Sequence, residues 1–183
     1  MTDSLNVVNM VASTRLTDSL DINSVAESLD IDYEQEQFPG MVYRTTDPKV
    51  CVLLFRSGKA VATGAKSMND VNVAFDRLYH DLDENGFALW DCAQREVILQ
   101  NVVITHDVGR ELHLTNLSLM LPMARTEYEP EQFPGLIFRL SEPKAVCLIF
   151  SSGRCVITGC TTLEMAKEAA DNLTATINEL LDE

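Results

Sequence analysis

One unit of sequence occurs twice in this chain. YEQEQFPGMVYRTTDPKVCVLLFRSGKAVATG, Tyr33 to Gly64, returns as YEPEQFPGLIFRLSEPKAVCLIFSSGRCVITG, Tyr128 to Gly159, at a constant offset of 95 and without a gap. Seventeen of these 32 positions are identical, and most others exchange like for like. A repeat of this length means two copies of one folding unit, so whatever the first copy forms the second forms too. Upstream, VVNMVAST (Val7 to Thr14) echoes LQNVVITH (Leu99 to His106) at an offset of 92, so the second copy carries three extra residues before Tyr128. The repeats divide the 183 residues into 1–92 and 93–183.

Within each copy the hydrophobic period changes. Val71, Phe75, Leu78 and Leu82 follow a helical spacing, and Ala166, Ala170, Leu173 and Ile177 reproduce it 95 residues later. Ser67 and Thr162 stand where an N-cap is wanted, and Gly86 where a helix stops. A shorter helix is expected around Asn23 to Leu29, with a counterpart around Thr115 to Leu121. Between the helices the period is two. Asn6 to Leu16, Met41 to Thr45, Val50 to Arg56 and Lys59 to Thr63 read as strands, and Arg56-Ser57-Gly58-Lys59 joins two of them as a hairpin. Each unit is therefore strand, short helix, antiparallel strands, long helix. Two such units are expected to build one continuous sheet about a pseudo-two-fold axis.

Composition excludes several classes. Apolar residues make up 46% of the chain, enough for a core, and no apolar run approaches the roughly 20 residues of a membrane span. MTDSLNVVNM has neither a basic start nor a long apolar stretch, so no secretory leader is expected. The cysteines, Cys51, Cys92, Cys147, Cys155 and Cys160, form no CxxC pair and read as small buried hydrophobes in a reducing compartment. His80, His106 and His113 lack zinc-ligand spacing, and neither metal nor cofactor is expected. With 28 acidic and 14 basic residues the net charge is −14, which opposes indiscriminate nucleic-acid binding.

The local charge map differs from the total. One long and one short helix per unit can cover one sheet face, yet Val7-Val8-Asn9-Met10-Val11 and Val50 to Phe55 are apolar at both parities. The second face is therefore covered by another layer or a second copy, or it is a binding surface. Residues 42–64 carry Arg44, Lys49, Arg56 and Lys59 against Asp47, a net +3; residues 137–159 carry Arg139, Lys144 and Arg154 against Glu142, a net +2. The rest of the chain totals −19. An apolar strip bordered by cations suits a DNA minor groove, with dry contact to base edges and positive charge for the phosphates.

The doubled EQFPG (Glu36 to Gly40, Glu131 to Gly135), the doubled LxFxSG (Leu53 to Gly58, Leu148 to Gly153), the doubled Thr-Gly and the NMV and NVV strands at Asn9 and Asn101 together resemble the TATA-box-binding protein family, in its archaeal form, over essentially the whole chain. The resemblance implies an α+β fold: a curved ten-stranded antiparallel sheet, a saddle, with four helices on the convex face. It implies a general initiation factor that binds and bends TATA-box DNA and nucleates the pre-initiation complex. The family is itself the standing example of minor-groove kinking by apolar wedges, so that mechanism comes with the resemblance. Phe38 with Phe55, and Phe133 with Phe150, match its intercalating pairs, both 17 residues apart. Asn9 and Asn101 match the central asparagines, whose amides can donate to adenine N3 and thymine O2. Thr63 and Thr158 match the flanking hydroxyls, and Val11, Leu53, Val61, Val103, Leu148 and Val156 the apolar base-edge contacts. Arg44, Lys49, Arg56, Lys59, Arg139, Lys144 and Arg154 match or neighbour phosphate-contacting positions, as do Ser57 and Ser152.

The acidic segments Glu34 to Gln37 and Glu129 to Gln132 correspond to the two stirrups, and Glu129 and Glu131 to the surface for transcription factor B, with RNA polymerase joining the complex. Location in the archaeal cytoplasm on the nucleoid, and a weak homodimer through the concave face in the absence of DNA, are implied likewise. The long first helix, with Asp70, Asp76, Asp81, Asp83 and Glu84, departs from basic eukaryotic relatives. Two rivals are testable. An enzyme is disfavoured: Ser57-Gly58-Lys59 lacks the upstream glycine of a phosphate loop, and no cysteine sits beside a plausible base. A protein-interaction module of the same fold would bind A/T-rich duplexes without preference.

Overall fold

The computed structural model describes residues 6–182. Part of the N-terminal stretch read for a leader, Met1 to Leu5, and the terminal Glu183 lie outside the described residues. Two compact units emerge: Asn9–Gln100 forms one, and the remaining described residues, Asn6–Val8 among them, the other.

Asn9–Gln100 contains most of β1 (Asn6–Arg15), α1 (Ile22–Ser28), β2 (Met41–Arg44), β3 (Cys51–Leu54), β4 (Lys59–Ala65) and α2 (Met68–Glu84). The strands are antiparallel neighbours in the order β2-β3-β4-β1. The second unit repeats this plan with most of β5 (Ile98–Asp107), α3 (Leu114–Met120), β6 (Thr126–Glu127), β7 (Leu136–Ser141), β8 (Lys144–Ile149), β9 (Arg154–Cys160) and α4 (Leu163–Leu181), its strands in the order β5-β9-β8-β7-β6. The described residues thus hold nine strands and four helices, an α+β fold. The resemblance implied ten strands; residues 31–32, the counterpart of β6, stay outside the sheet. There Asp30 turns the chain at φ 55°, and the Ile31 N–H donates back to the Ala26 carbonyl at 2.8 Å instead of to a strand.

The helices form where the apolar spacing places them, and caps set their starts. Ser67 and Thr162 accept the backbone N–H of Asp70 and Met165 at 3.1 and 3.0 Å, each worth about 1 kcal/mol. Val71, Phe75, Leu78 and Leu82 on α2, and Ala166, Ala170, Leu173 and Ile177 on α4, are buried. Truncating Phe75 to alanine would cost about 3–5 kcal/mol. The units distribute core bulk differently between strand and helix layers. In the first, Ala60 and Ala62 of β4 face the layer that carries Val71, Ala74 and Phe75; in the second, Cys155 and Ile157 of β9 meet Ala166, Ala169 and Ala170.

That distribution places Cys155 in the core with Cys147 and Cys160, and burial pushes all three thiols up, the first two to about 12. Cys92 departs from the buried-hydrophobe expectation. It lies exposed in a short turn, Cys92–Gln94, of the segment joining the repeats, where no apolar layer is available to cover it. Cys51 is half-buried. Among the described residues no group of His, Cys, Asp and Glu could hold a metal, and no helix is long and apolar enough to cross a membrane.

Candidate nucleic-acid interface

In each unit the sheet face turned from the core is neither covered nor polar. Asn9, Val11, Leu53, Val61 and Thr63 in one, and Asn101, Val103, Leu148, Val156 and Thr158 in the other, are all partly exposed, alternating with buried neighbours. Strand register arranges them in rows. Val42, Leu53, Val61 and Ser13 stand side by side across four strands, and Ile137, Leu148, Val156 and Thr105 do the same in the second unit. A further row runs Arg44, Cys51, Thr63, matched by Arg139, Val146, Thr158. Sequence reasoning passed over Val42, Cys51, Ile137 and Val146. For Cys51 and Val146 the available signal was parity, two residues from Leu53 and Leu148 on the same strand; Val42 and Ile137 lie directly opposite those leucines on the paired strand.

The doubled Thr-Gly has a geometric cause. Between Met10/Ala65 and Ala12/Ala62 the register slips, so that Val11 faces both Thr63 and Gly64. Val103 likewise faces Thr158 and Gly159. These are β-bulges, and their glycines take φ of 89° and 100°, a region costly to other residues. The bulge turns one backbone N–H toward a side chain: Gly64 donates to Asn9 Oδ1 at 2.7 Å, and Gly159 to Asn101 Oδ1 at 2.8 Å. A backbone N–H can only donate, so the amide oxygen must face it and the NH2 group must face away. Asn101 Nδ2 also donates to Thr158 Oγ1 at 3.0 Å. Both asparagines therefore hold their donors in a fixed direction.

The phenylalanines paired through the resemblance are in contact in the structure. Phe38 and Phe55 meet edge to face at 6.1 Å between ring centroids, and Phe133 and Phe150 at 5.8 Å. Phe38 is 42% exposed, unusual for an aromatic. Each pair leans on a loop held by the acidic turn before it: the Phe38 N–H donates to the Glu34 carbonyl at 3.1 Å, and that of Phe133 to the Glu129 carbonyl at 3.0 Å. Gly40 and Gly135 lie directly under the rings, where a side chain would collide with them. The Glu34, Glu36, Glu129 and Glu131 side chains are exposed.

Arg44, Lys49, Arg56, Lys59, Arg139, Lys144 and Arg154 are all exposed. Arg44 and Lys49 line a groove with Cys51 and Thr63; Arg139 and Lys144 line its counterpart, which gains Arg125. Arg139 is partly engaged, with Glu127 at 3.3 Å. Among the described residues none of the other six forms an ion pair. Ser57 and Ser152 cap their hairpins, each accepting the N–H two residues on at 3.3 Å. Each unit thus presents a hydrogen-bonding, apolar and cationic sheet face with no nucleophile–base pair among the described residues named on it.

Known proteins resemble this chain in both sequence and fold. The family model described as "Transcription factor TFIID (or TATA-binding protein, TBP)" matches residues 4–85 and again 96–180. TATA-box-binding protein E of Halobacterium salinarum is 46% identical over 179 residues, 97% of this chain and 95% of its own. The TATA-box-binding protein of Methanococcus aeolicus is 46% identical across 100% of this chain and 99% of its own. The solved structure of Methanococcus jannaschii TBP superposes with a TM-score of 0.88 at 44% identity, covering 97% of this chain and 99% of that one. Matched in both repeats, and alike in sequence and fold over nearly its whole length, the chain belongs to the TATA-binding protein family of general transcription factors, DNA-binding proteins and not enzymes.

Proposed function

We propose that this chain binds the minor groove of A/T-rich promoter DNA with the open sheet faces of its two repeats, 1–92 and 93–183, and bends the duplex by wedging its phenylalanine pairs between base steps. The observation that carries the reading is the locked amide of Asn9 and Asn101. An A·T pair offers only acceptors in the minor groove, whereas a G·C pair adds the guanine amine donor. A face that presents amide donors and apolar Val11, Leu53, Val61, Val103, Leu148 and Val156 suits the first and leaves the guanine amine buried without an acceptor, at about 1–3 kcal/mol. Thr63 and Thr158 add hydroxyls at the rim of each bulge.

Phe38 with Phe55, and Phe133 with Phe150, supply the wedges. Unstacking a step costs a few kcal/mol, recovered through the wider contact a bent duplex allows, as in the family at large. Arg44, Lys49, Arg56, Lys59, Arg139, Lys144 and Arg154, with Ser57 and Ser152, take the phosphates. Glu129 and Glu131, exposed on the turn before Phe133, meet transcription factor B, after which RNA polymerase joins. The complex works on the nucleoid in the archaeal cytoplasm, and without DNA the same faces support a weak homodimer.

The test is energy transfer between the ends of a labelled duplex, over a panel from A/T-rich to G·C-substituted. The wild type should bend A/T-rich duplexes selectively, and Phe133→Ala or Phe150→Ala should bend them less while remaining folded. An unchanged bend at normal affinity would reject the wedges. Equal binding to every duplex would favour a protein-interaction module.

A further inference from the structure

The two repeats carry opposite charges at one matched position beside their hairpins. At the offset of 92, Arg15 ends β1 where Asp107 ends β5. Each stands across the strand pair from a hairpin cation, Arg15 opposite Lys59 and Asp107 opposite Arg154. Arg15, Ser57 and Lys59 line one groove; Asp107, Ser152 and Arg154 line its counterpart. Glu96 also lines the first groove. Counting His106 as neutral, that groove keeps one net positive charge and the second keeps none. The hairpins differ in the same sense, with Arg56 where the second copy has Ser151.

Like charges directly opposite each other across strands oppose folding. Arg15 is nevertheless pinned in that position. Its Nε donates to the carbonyls of Thr17 at 3.1 Å and Ser57 at 3.0 Å, its Nη2 to the carbonyl of Asp18 at 3.2 Å, and its guanidinium lies 5.4 Å from the Trp90 ring centroid. These partners orient the charge without neutralising it. A cation fixed beside a second cation retains its attraction for an incoming anion. In the second repeat the carboxylate of Asp107, held by the Gly109 N–H at 2.8 Å, stands opposite Arg154 and offsets its charge in the groove without an ion pair between them.

We propose that Arg15 and Lys59, with the Ser57 hydroxyl, form a phosphate clamp in the first repeat, and that Asp107 weakens the matching site at Ser152 and Arg154. The two repeats therefore grip the DNA backbone unequally, the first more firmly. This rests on the DNA-binding reading above and adds two residues, Arg15 and Asp107, that set how the grip is divided.

The experiment titrates the full chain against one A/T-rich duplex and its G·C-substituted form, over a series of KCl concentrations. Loss of one phosphate contact makes the slope of log K on log salt shallower by about 0.9. Lys59→Gln is expected to show that change, and Arg154→Gln clearly less. Asp107→Asn should tighten binding several-fold, and in that background Arg154→Gln should cost as much as Lys59→Gln. Arg15→Lys keeps the charge and loses the carbonyl bonds; it should bind more tightly than Arg15→Gln. Equal losses in Lys59→Gln and Arg154→Gln, no effect of Asp107→Asn, or equal losses in both Arg15 variants would each overturn the proposal while the wild type still prefers the A/T-rich duplex. A wild type without that preference would overturn the DNA-binding reading and the clamp with it.

Discussion

Gly135→Ala separates the wedge from the fold. A Cβ at this position would stand 2.7 Å from Phe133 Cε2 and 3.0 Å from Phe150 Cε1. Carbon atoms settle at about 3.5–4.0 Å, so the rings must move outward by roughly 0.5–1 Å. The atoms displaced are the far ends of two side chains, and the backbone at Gly135 is not in the left-handed region. The loss to the fold is therefore the edge-to-face contact, about 0.5–1.5 kcal/mol. A stiffer unfolded chain returns about 0.4–1 kcal/mol. Net stability should change by less than about 1 kcal/mol. The pair itself, at 5.8 Å between centroids, would lose the arrangement in which both rings present one wedge. Denaturant unfolding of the variant should match the wild type, while energy transfer on an end-labelled A/T-rich duplex should report a smaller bend. A full bend in the variant would refute the link between ring placement and kinking. A stability loss above about 3 kcal/mol, in the range of core defects, would show that Gly135 serves the fold instead.

Other outcomes follow from the same geometry. Asn9→Ala or Asn101→Ala should relax discrimination at the centre of the site by about 1–3 kcal/mol per lost base contact, read by competition between centrally substituted duplexes; equal weakening on all of them would assign the asparagines to bracing the bulge. The seven cations marked through the resemblance, Arg15 not counted, would give a salt slope of roughly −6 on phosphates, but cations entering beside Glu34, Glu36, Glu129 and Glu131 should make it much shallower. Replacing two of these glutamates by Gln should steepen it, and a wild-type slope near −6 that the substitutions leave unchanged would exclude the acidic turns from binding. Cys147 and Cys155 ionise at about 12 in the fold and at about 8.5 in an unfolded chain. Their contribution to stability is complete below pH of about 8.5 and falls as pH rises toward 12. Urea midpoints should drop over that window, and at neutral pH a thiol reagent should label Cys92 and spare Cys147, Cys155 and Cys160. Prompt labelling of those three in folded protein would contradict their burial.

The repeat made most of the fold legible, because a pattern seen twice removes doubt about period. The helical face of α2 was readable from Val71, Phe75, Leu78 and Leu82, and the same offset carried it to α4. Asn9, Phe38 and the Thr-Gly pairs could be marked from sequence through the family they resemble, yet the reason for the glycine was invisible. It lies in a slip of strand register, which depends on two distant segments at once. Val42, Cys51, Ile137 and Val146 escaped for a related cause: a site residue on a sheet is defined by its neighbour across the strand, and pairing is not written locally. The tenth strand failed because Asp30 turns the chain back onto α1, a choice between two hydrogen-bond partners that hydrophobic period does not report. Arg15 was not legible as a site residue, because Ser57, Lys59 and Trp90 reach it from distant segments.

The bulge that holds Asn9 and Asn101 also changes the thermodynamics of reading a base pair. Immobilising a free side chain at an interface costs about 0.5–1.5 kcal/mol, a loss that falls equally on right and wrong partners. Here the Gly64 and Gly159 N–H groups have stilled the amides before any duplex arrives. Association need not order them, so their contact with thymine or adenine reaches the affinity undiminished. A guanine meets the same rigid donors, which cannot rotate to offer an oxygen to its amine. Rotational freedom would have softened the mismatch; its removal during folding makes each asparagine less forgiving of G·C than a mobile amide would be.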